Sequence, residues 1–224
     1  MPARSSKGSE TGGYLAFQQG SIRGFLHEPV SPSGSGLVLT HGAGGNCESA
    51  LLVTVAKAFA ESGISVLRID LPFRQRKRFG PPSPATASHD REGLREAVSE
   101  LRSRLSGAVF LGGQSYGGRQ ATILASEATG LVQGLVLLSY PLHAPGRPND
   151  VRTSHFPNLS APALFAQGTK DLFGSLEEMR NSLELIPAPT KLVPIEDAGH
   201  DLKKGNFPVR SLIVDEFLAL VKDI

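Results

Sequence analysis

From residue 37 onward, apolar runs of strand length alternate with segments whose apolar residues recur at helical spacing. This alternation constrains the fold more than any other feature of the chain. Strands buried on both faces read as continuous apolar runs, and they need helices above and below to cover them. Leu37-Val38-Leu39 reads as the first such strand, followed by a helix whose Leu51, Leu52, Val55, Ala56 and Phe59 share one face and which Gly63 closes. Ile64 to Ile69 is the next strand, then a Pro-rich loop from Leu71 to Pro84, then a helix with Leu94, Val98, Leu101 and Leu105 in register, stopped by Gly107. Strands at 108–111, 135–138, 163–166 and 191–195 continue the scheme. Helices are expected at about 119–128, after the Ser175/Glu178 capping box, and at about 209–221. Tyr14 to Phe17 and Ile22 to His27 read as an antiparallel edge hairpin. The expected fold is α/β, a mostly parallel central sheet with helices on both faces. Residues 14–224 form a single domain, with 1–13 a flexible N-terminal tail.

Ligands of open α/β sheets bind beyond the carboxyl ends of the strands, so residues just after each strand carry the functional information. Those positions hold His41 with the glycines after it, Asp70, Ser115, Tyr140, Asp171 and His200. Ser115 lies in Gly113-Gln114-Ser115-Tyr116-Gly117, directly behind an apolar strand. There a serine between glycines can be held on a sharp turn with its hydroxyl projecting from the sheet edge. With 25 glycines in the chain the pentapeptide alone is weak. The chain order Ser115, Asp171, His200 strengthens it, because this is the order expected when a nucleophile elbow is served by an acid and a base from later strands. A serine hydroxyl needs a base near neutral pH, which an imidazole supplies, and Asp171 would fix its tautomer. Asp197 and Asp201 compete as the acid but stand too close to His200 on one loop to come from a separate strand end. Asp70 is expected to cap the loop that follows it. The backbone N–H of Tyr116 and that of Ala43 are the candidate oxyanion donors.

Several nearby residues are weaker candidates for substrate contact: His41, Gly42 and Gly44 in the Gly-rich turn, Arg74 in the basic run 74–78, Tyr140, and His143 in the connection after it. His41 is expected to shape the turn more than to move protons. Arg74, Arg76, Lys77 and Arg78 form either a solvated loop or an attractor for an anionic substrate or partner.

The four motifs HGAGG (41–45), GQSYGG (113–118), QGTKD (167–171) and DAGHD (197–201) resemble the α/β-hydrolase superfamily, over about Tyr14 to Val221. HGAGG, SYPLHAPGRP (139–148) and LFAQGTKDLFG (164–174) look like its dienelactone-hydrolase-related branch. That branch includes the testis-expressed hydrolase-like proteins and the third subunit of the non-specific lethal acetyltransferase complex. The resemblance implies a carboxylic-ester-type hydrolase fold without a cofactor. Dienelactone hydrolases proper use a cysteine nucleophile, whereas this elbow carries serine, so their substrate does not transfer.

Composition removes other classes. Lys and Arg outnumber Asp and Glu by 23 to 21, too small an excess for a nucleic-acid partner. No segment approaches the roughly 20 apolar residues of a bilayer helix, and the polar start MPARSSKGSETGG has no signal-peptide core, so no membrane partner and a cytoplasmic location are expected. The six histidines lack metal-ligand spacing, and no metal is expected. The expectation is a serine esterase or thioesterase acting on a small ester-like molecule. About twenty residues join the strands at 135–138 and 163–166, too few for a large cap, so small or extended acyl groups suit the site. The alternative is a non-catalytic binding or scaffold module on the same fold.

Overall fold

The computed structural model describes residues 13–202 and 207–222. The tail expected at 1–13 therefore falls, apart from Gly13, outside the described residues. Eight strands form one sheet in the order β1-β2-β4-β3-β5-β6-β7-β8, where β1 is Tyr14–Gln19, β2 Ile22–His27, β3 Gly36–Thr40, β4 Ser65–Ile69, β5 Val109–Gln114, β6 Leu135–Leu138, β7 Ala163–Gly168 and β8 Thr190–Ile195. β1 and β2 form the expected hairpin, β2 pairs antiparallel with β4, and every other pairing is parallel.

Helices cover both faces. α1 (Ala50–Ala60) and α6 (Glu216–Leu220) lie on one, where Leu52, Val55, Phe59 and Phe217 pack on Leu37, Leu39, Val136 and Leu164. α3 (Ala87–Arg102), α4 (Tyr116–Glu127) and α5 (Leu176–Leu183) lie on the other, where Leu94, Val98, Leu124 and Met179 meet Val38, Leu111, Leu137 and Phe165. The interior strands β3, β4, β5, β6 and β7 are buried on both faces, and all but β4, which carries Arg68, read as unbroken apolar runs. Among the described residues no large cap stands over the sheet; the β6–β7 connection carries a single 3-10 turn at Phe156–Asn158.

Three elements differ from the sequence expectation. The loop expected at 71–84 opens with a short helix, α2 (Pro72–Arg76), because Pro72 presets the first turn and Asp90 accepts the Phe73 N–H at 2.9 Å. α3 stops at Arg102 rather than near Gly107, and the chain tightens into turns through Arg104 and Leu105. The last helix begins as π-helical turns over Arg210–Asp215, which turn Ile213 and Val214 together with Phe217 onto the sheet.

Chain order reverses at β3, which is flanked by β4 on one side and β5 on the other. At such a switch point two strand exits separate from their helices and leave a crevice. The exits here are His41 to Gly45 and Gln114 to Gly117, which places the Gly-rich turn beside Ser115.

Candidate active site

Ser115 adopts φ 49° and ψ −115° between β5 and α4, a region costly for a residue with a Cβ. Its surroundings enforce that conformation. The Ser115 amide donates to the Leu138 carbonyl of the neighbouring strand at 2.9 Å. A Cβ on Gly117 would sit 2.5 Å from the His41 carbonyl oxygen, and one on Gly113 would sit 2.8 Å from the Gly117 carbonyl carbon. Only glycines allow β5, α4 and the turn after β3 to converge this closely.

The serine hydroxyl is 2.8 Å from His200 Nε2, and His200 Nδ1 is 2.8 Å from Asp171 Oδ2 and 3.0 Å from Oδ1. With Nδ1–H donating to the carboxylate, Nε2 is left to accept the serine proton. The Asp171 side chain is fully buried, whereas that of His200 keeps 24% exposure, enough to meet a substrate. Asp171 is further held by the Phe173 N–H (2.8 Å) and by Gln167 Nε2 (2.9 Å). Of the competing carboxylates, Asp197 turns outward to an ion pair with Lys170 at 2.6 Å, and Asp201 is exposed. The β7 exit and the His200 loop are tied by Lys170 N–H to the Ala198 carbonyl (2.9 Å) and by Asp197 N–H to Thr169 Oγ1 (2.9 Å).

The N–H groups of Ala43 and Tyr116 donate to no carbonyl or side chain among the described residues. Gly42 brings the turn against Ser115: a Cβ there would lie 3.3 Å from Ser115 Cβ. His41 lies beneath the turn, completely buried. Its Nδ1–H donates to the Gly42 carbonyl (2.8 Å) and its Nε2 accepts the Leu71 N–H (3.1 Å). Burial, the dominant effect, lowers its pKa, in keeping with the neutral tautomer those two bonds require.

The sequence matches the Alpha/beta hydrolase domain family over residues 33–209. This chain is an alpha/beta hydrolase. Solved structures similar to this alpha/beta hydrolase include the dienelactone hydrolase of Anabaena variabilis, 22% identical with a TM-score of 0.73 over 94% of this chain and 98% of that one. A serine hydrolase homologue from Coxiella burnetii is 18% identical with a TM-score of 0.69, over 97% and 100% of the two chains. XC6422 of Xanthomonas campestris, described as a serine hydrolase without a lid, is 18% identical with a TM-score of 0.65, over 96% and 94%. At these identities the likeness speaks for the fold alone.

Other expected contacts of this alpha/beta hydrolase are placed elsewhere. Tyr140 does not face the crevice: its ring is completely buried against Phe156 and Phe165, and its hydroxyl donates to the Arg152 carbonyl at 2.7 Å. A tyrosine after a strand need not follow the strand's exit direction when an apolar slot lies below it. His143 is buried as well, its Nδ1 on the Ala144 carbonyl (2.9 Å) and its Nε2 3.4 Å from Glu178. Gly44 stands in open space. Arg74 points inward. Its Nη2 donates to the Ala43 carbonyl (2.6 Å) and the Gly80 carbonyl (3.2 Å), and its Nη1 to the carbonyls of Lys77 (3.1 Å) and Arg78 (2.8 Å). It therefore pins the Ala43 turn, while Arg76, Lys77 and Arg78 are exposed. Asp70 caps the loop before it rather than the one after, taking the Cys47 N–H at 2.7 Å.

Two supporting residues carry little signal in the sequence. Phe173 stacks on the His200 ring at 4.0 Å and 26°. Asp90, fully buried, accepts the Tyr116 hydroxyl at 2.7 Å and so holds the residue that follows Ser115. Burial, then the Asp90 contact, push the Tyr116 phenol well above its ordinary pKa, so it remains a donor. No group of three or more His, Cys, Asp or Glu arranged to hold a metal ion occurs among the described residues.

Proposed function

We propose that the protein is a serine hydrolase of carboxylic-ester type, an esterase or thioesterase with Ser115, His200 and Asp171 as its triad. The observation that carries this reading is the unbroken hydrogen-bond chain from Ser115 Oγ through His200 to Asp171, both links 2.8 Å at their shortest. Ser115 Oγ attacks the acyl carbon as its proton passes to His200 Nε2. The carbonyl oxygen becomes an oxyanion in reach of the Ala43 and Tyr116 N–H groups. The carbon–oxygen or carbon–sulfur bond then breaks, and His200 returns the proton to the departing alcohol or thiol. Water, deprotonated by the same nitrogen, attacks the acyl-enzyme, and the acid leaves as Oγ recovers its proton. The uncapped crevice favours small or extended acyl groups. The motifs HGAGG and LFAQGTKDLFG support a place in the dienelactone-hydrolase-related branch, and the lone, buried Cys47 suits a cytoplasmic protein.

A fluorophosphonate probe is expected to label the wild type, and Ser115→Ala to abolish labelling together with turnover of short-chain aryl esters. A folded wild type that resists the probe and cleaves neither esters nor thioesters would overturn the proposal and leave a binding module.

A further inference from the structure

Gln167, the penultimate residue of β7, is completely buried. Its Nε2 lies 2.9 Å from Asp171 Oδ2, 3.3 Å from the Gly174 carbonyl oxygen and 3.4 Å from the Tyr140 carbonyl oxygen. All three neighbours are acceptors. An amide turned the other way would set its oxygen against three oxygens, so these surroundings fix which end faces Asp171. The opposite end is left without a bond: Gln167 Oε1 is buried and has no hydrogen-bond partner. Ser139, at the exit of the paired strand β6, offers it no donor, since the Ser139 hydroxyl is buried and unbonded as well.

A buried acceptor without a donor is costly. An apolar side chain, such as β7 carries at Leu164 and Phe165, would avoid that cost. What the amide supplies and an apolar group cannot is the bond to Asp171.

That bond completes a set of donors on both oxygens of the carboxylate. Oδ1 takes the Phe173 N–H at 2.8 Å and Oδ2 takes the Gln167 amide, while His200 Nδ1 stands 3.0 Å and 2.8 Å from the two. A donor on each oxygen fixes the turn of the carboxylate so that both oxygens face the imidazole. A hydrogen bond to a carboxylate also favours its charged form and weakens its pull on a neighbouring cation. Other charged groups nearby are engaged or turned outward. Lys170 and Asp197 pair with each other at 2.6 Å, Glu178 takes the Ser175 N–H at 2.8 Å and faces His143 at 3.4 Å, and Asp201 is exposed.

We infer that Gln167 is a positioning residue of the triad, its amide clamping Asp171 and moderating how strongly the carboxylate holds the His200 imidazolium. The inference rests on the hydrolase reading of Ser115.

Gln167→Met keeps the length of the side chain and removes the donor. The imidazole titration of His200, followed by NMR, should move to higher pH by about half a unit or more, because a carboxylate freed of one donor holds the imidazolium more tightly. The acid limb of kcat/KM on a neutral aryl ester should move the same way, with plateau kcat down about tenfold through lost orientation and KM changed less. Gln167→Glu supplies the contrast. Among three acceptors a carboxyl group can bond Asp171 only while it carries a proton, so this variant should work at low pH and fail as pH rises, a falling limb that wild type lacks. An amide that merely fills space would lower urea stability in both variants and leave the titration and both limbs in place. That result, or a His200 titration that moves to lower pH, would overturn the inference. If wild type cleaves esters while the titration stays fixed, the clamp falls and the hydrolase reading stands. If the titration moves as expected but no ester is cleaved, the clamp stands and the hydrolase reading falls. Should Gln167→Met not fold, the falling limb of Gln167→Glu decides: its presence supports the clamp and its absence overturns it.

Discussion

Arg74→Lys keeps the positive charge at position 74 and removes the fork that pins the Ala43 turn. The wild-type guanidinium makes four bonds to carbonyls, the shortest to Ala43 at 2.6 Å, and the residue is 8% exposed. A lysine ammonium is a compact donor on a flexible stem and cannot span all four. Lys77, Arg78 and Gly80 are exposed residues whose carbonyls water can satisfy, so the loss in stability concentrates on the Ala43 carbonyl. One charge-assisted hydrogen bond of this kind is worth about 1.5–3 kcal/mol, which sets the expected fall in urea-unfolding stability.

The kinetic effect follows from position. Ala43 N–H is one of the two proposed oxyanion donors, and its residue is the one whose carbonyl Arg74 holds. Losing a donor outright costs about 100-fold to 1000-fold in kcat, so letting it wander should cost about 10-fold to 100-fold, with KM changing less. Steady-state kinetics on a neutral aryl ester measures this directly, because a neutral substrate has no use for a surface charge. Unchanged kcat on the neutral ester, with a loss confined to anionic esters under Arg74→Ala, would refute the pinning role and restore Arg74 as an attractor.

Two further predictions come from buried polar groups. His27 accepts a hydrogen bond from Arg68 Nε at 2.8 Å, and burial, then the Arg68 charge, lower its pKa from the ordinary 6.5 to about 4. Between those values the unfolded chain binds a proton that native His27 refuses, so stability falls as pH drops from 6.5 toward 4, by at most about 3 kcal/mol. Urea titrations across that window should show the slope, and His27→Gln should reduce it while His155, whose pKa burial and then Arg119 also lower to about 4, keeps the rest; an identical slope in the variant would refute the assignment. Tyr116→Phe leaves one oxygen of the buried Asp90 without its 2.7 Å donor and should cost about 1–3 kcal/mol in unfolding stability. Fluorophosphonate labelling should persist in that variant, since the Tyr116 N–H is untouched, and a loss of labelling without a loss of stability would contradict it.

A mostly parallel sheet between helices could be anticipated from the sequence because the interior strands are buried on both faces and alternate with amphipathic helices. The juxtaposition of Ser115, His200 and Asp171 was legible for a related reason: Ser115 directly follows β5, and Asp171 and His200 lie three and five residues past the ends of β7 and β8, on loops at the same sheet edge. The elbow glycines were legible because Gly113 and Gly117 leave no room for any other residue. Helix ends were less so. Gly107 looked like the stop of α3, but the chain leaves the helix at Arg102 through tightening turns, and Gly107 instead packs against the Gly34 carbonyl.

Side-chain direction was the part that spacing could not supply. Arg74, Tyr140 and His143 lie in segments that border the crevice, yet all three turn inward. Each meets a group from a segment distant in sequence or beyond a turn: Ala43 for Arg74, the Phe156 slot for Tyr140, Glu178 for His143. A long polar side chain settles where its donors or acceptors are best met, and that choice depends on loops whose course the local pattern does not encode.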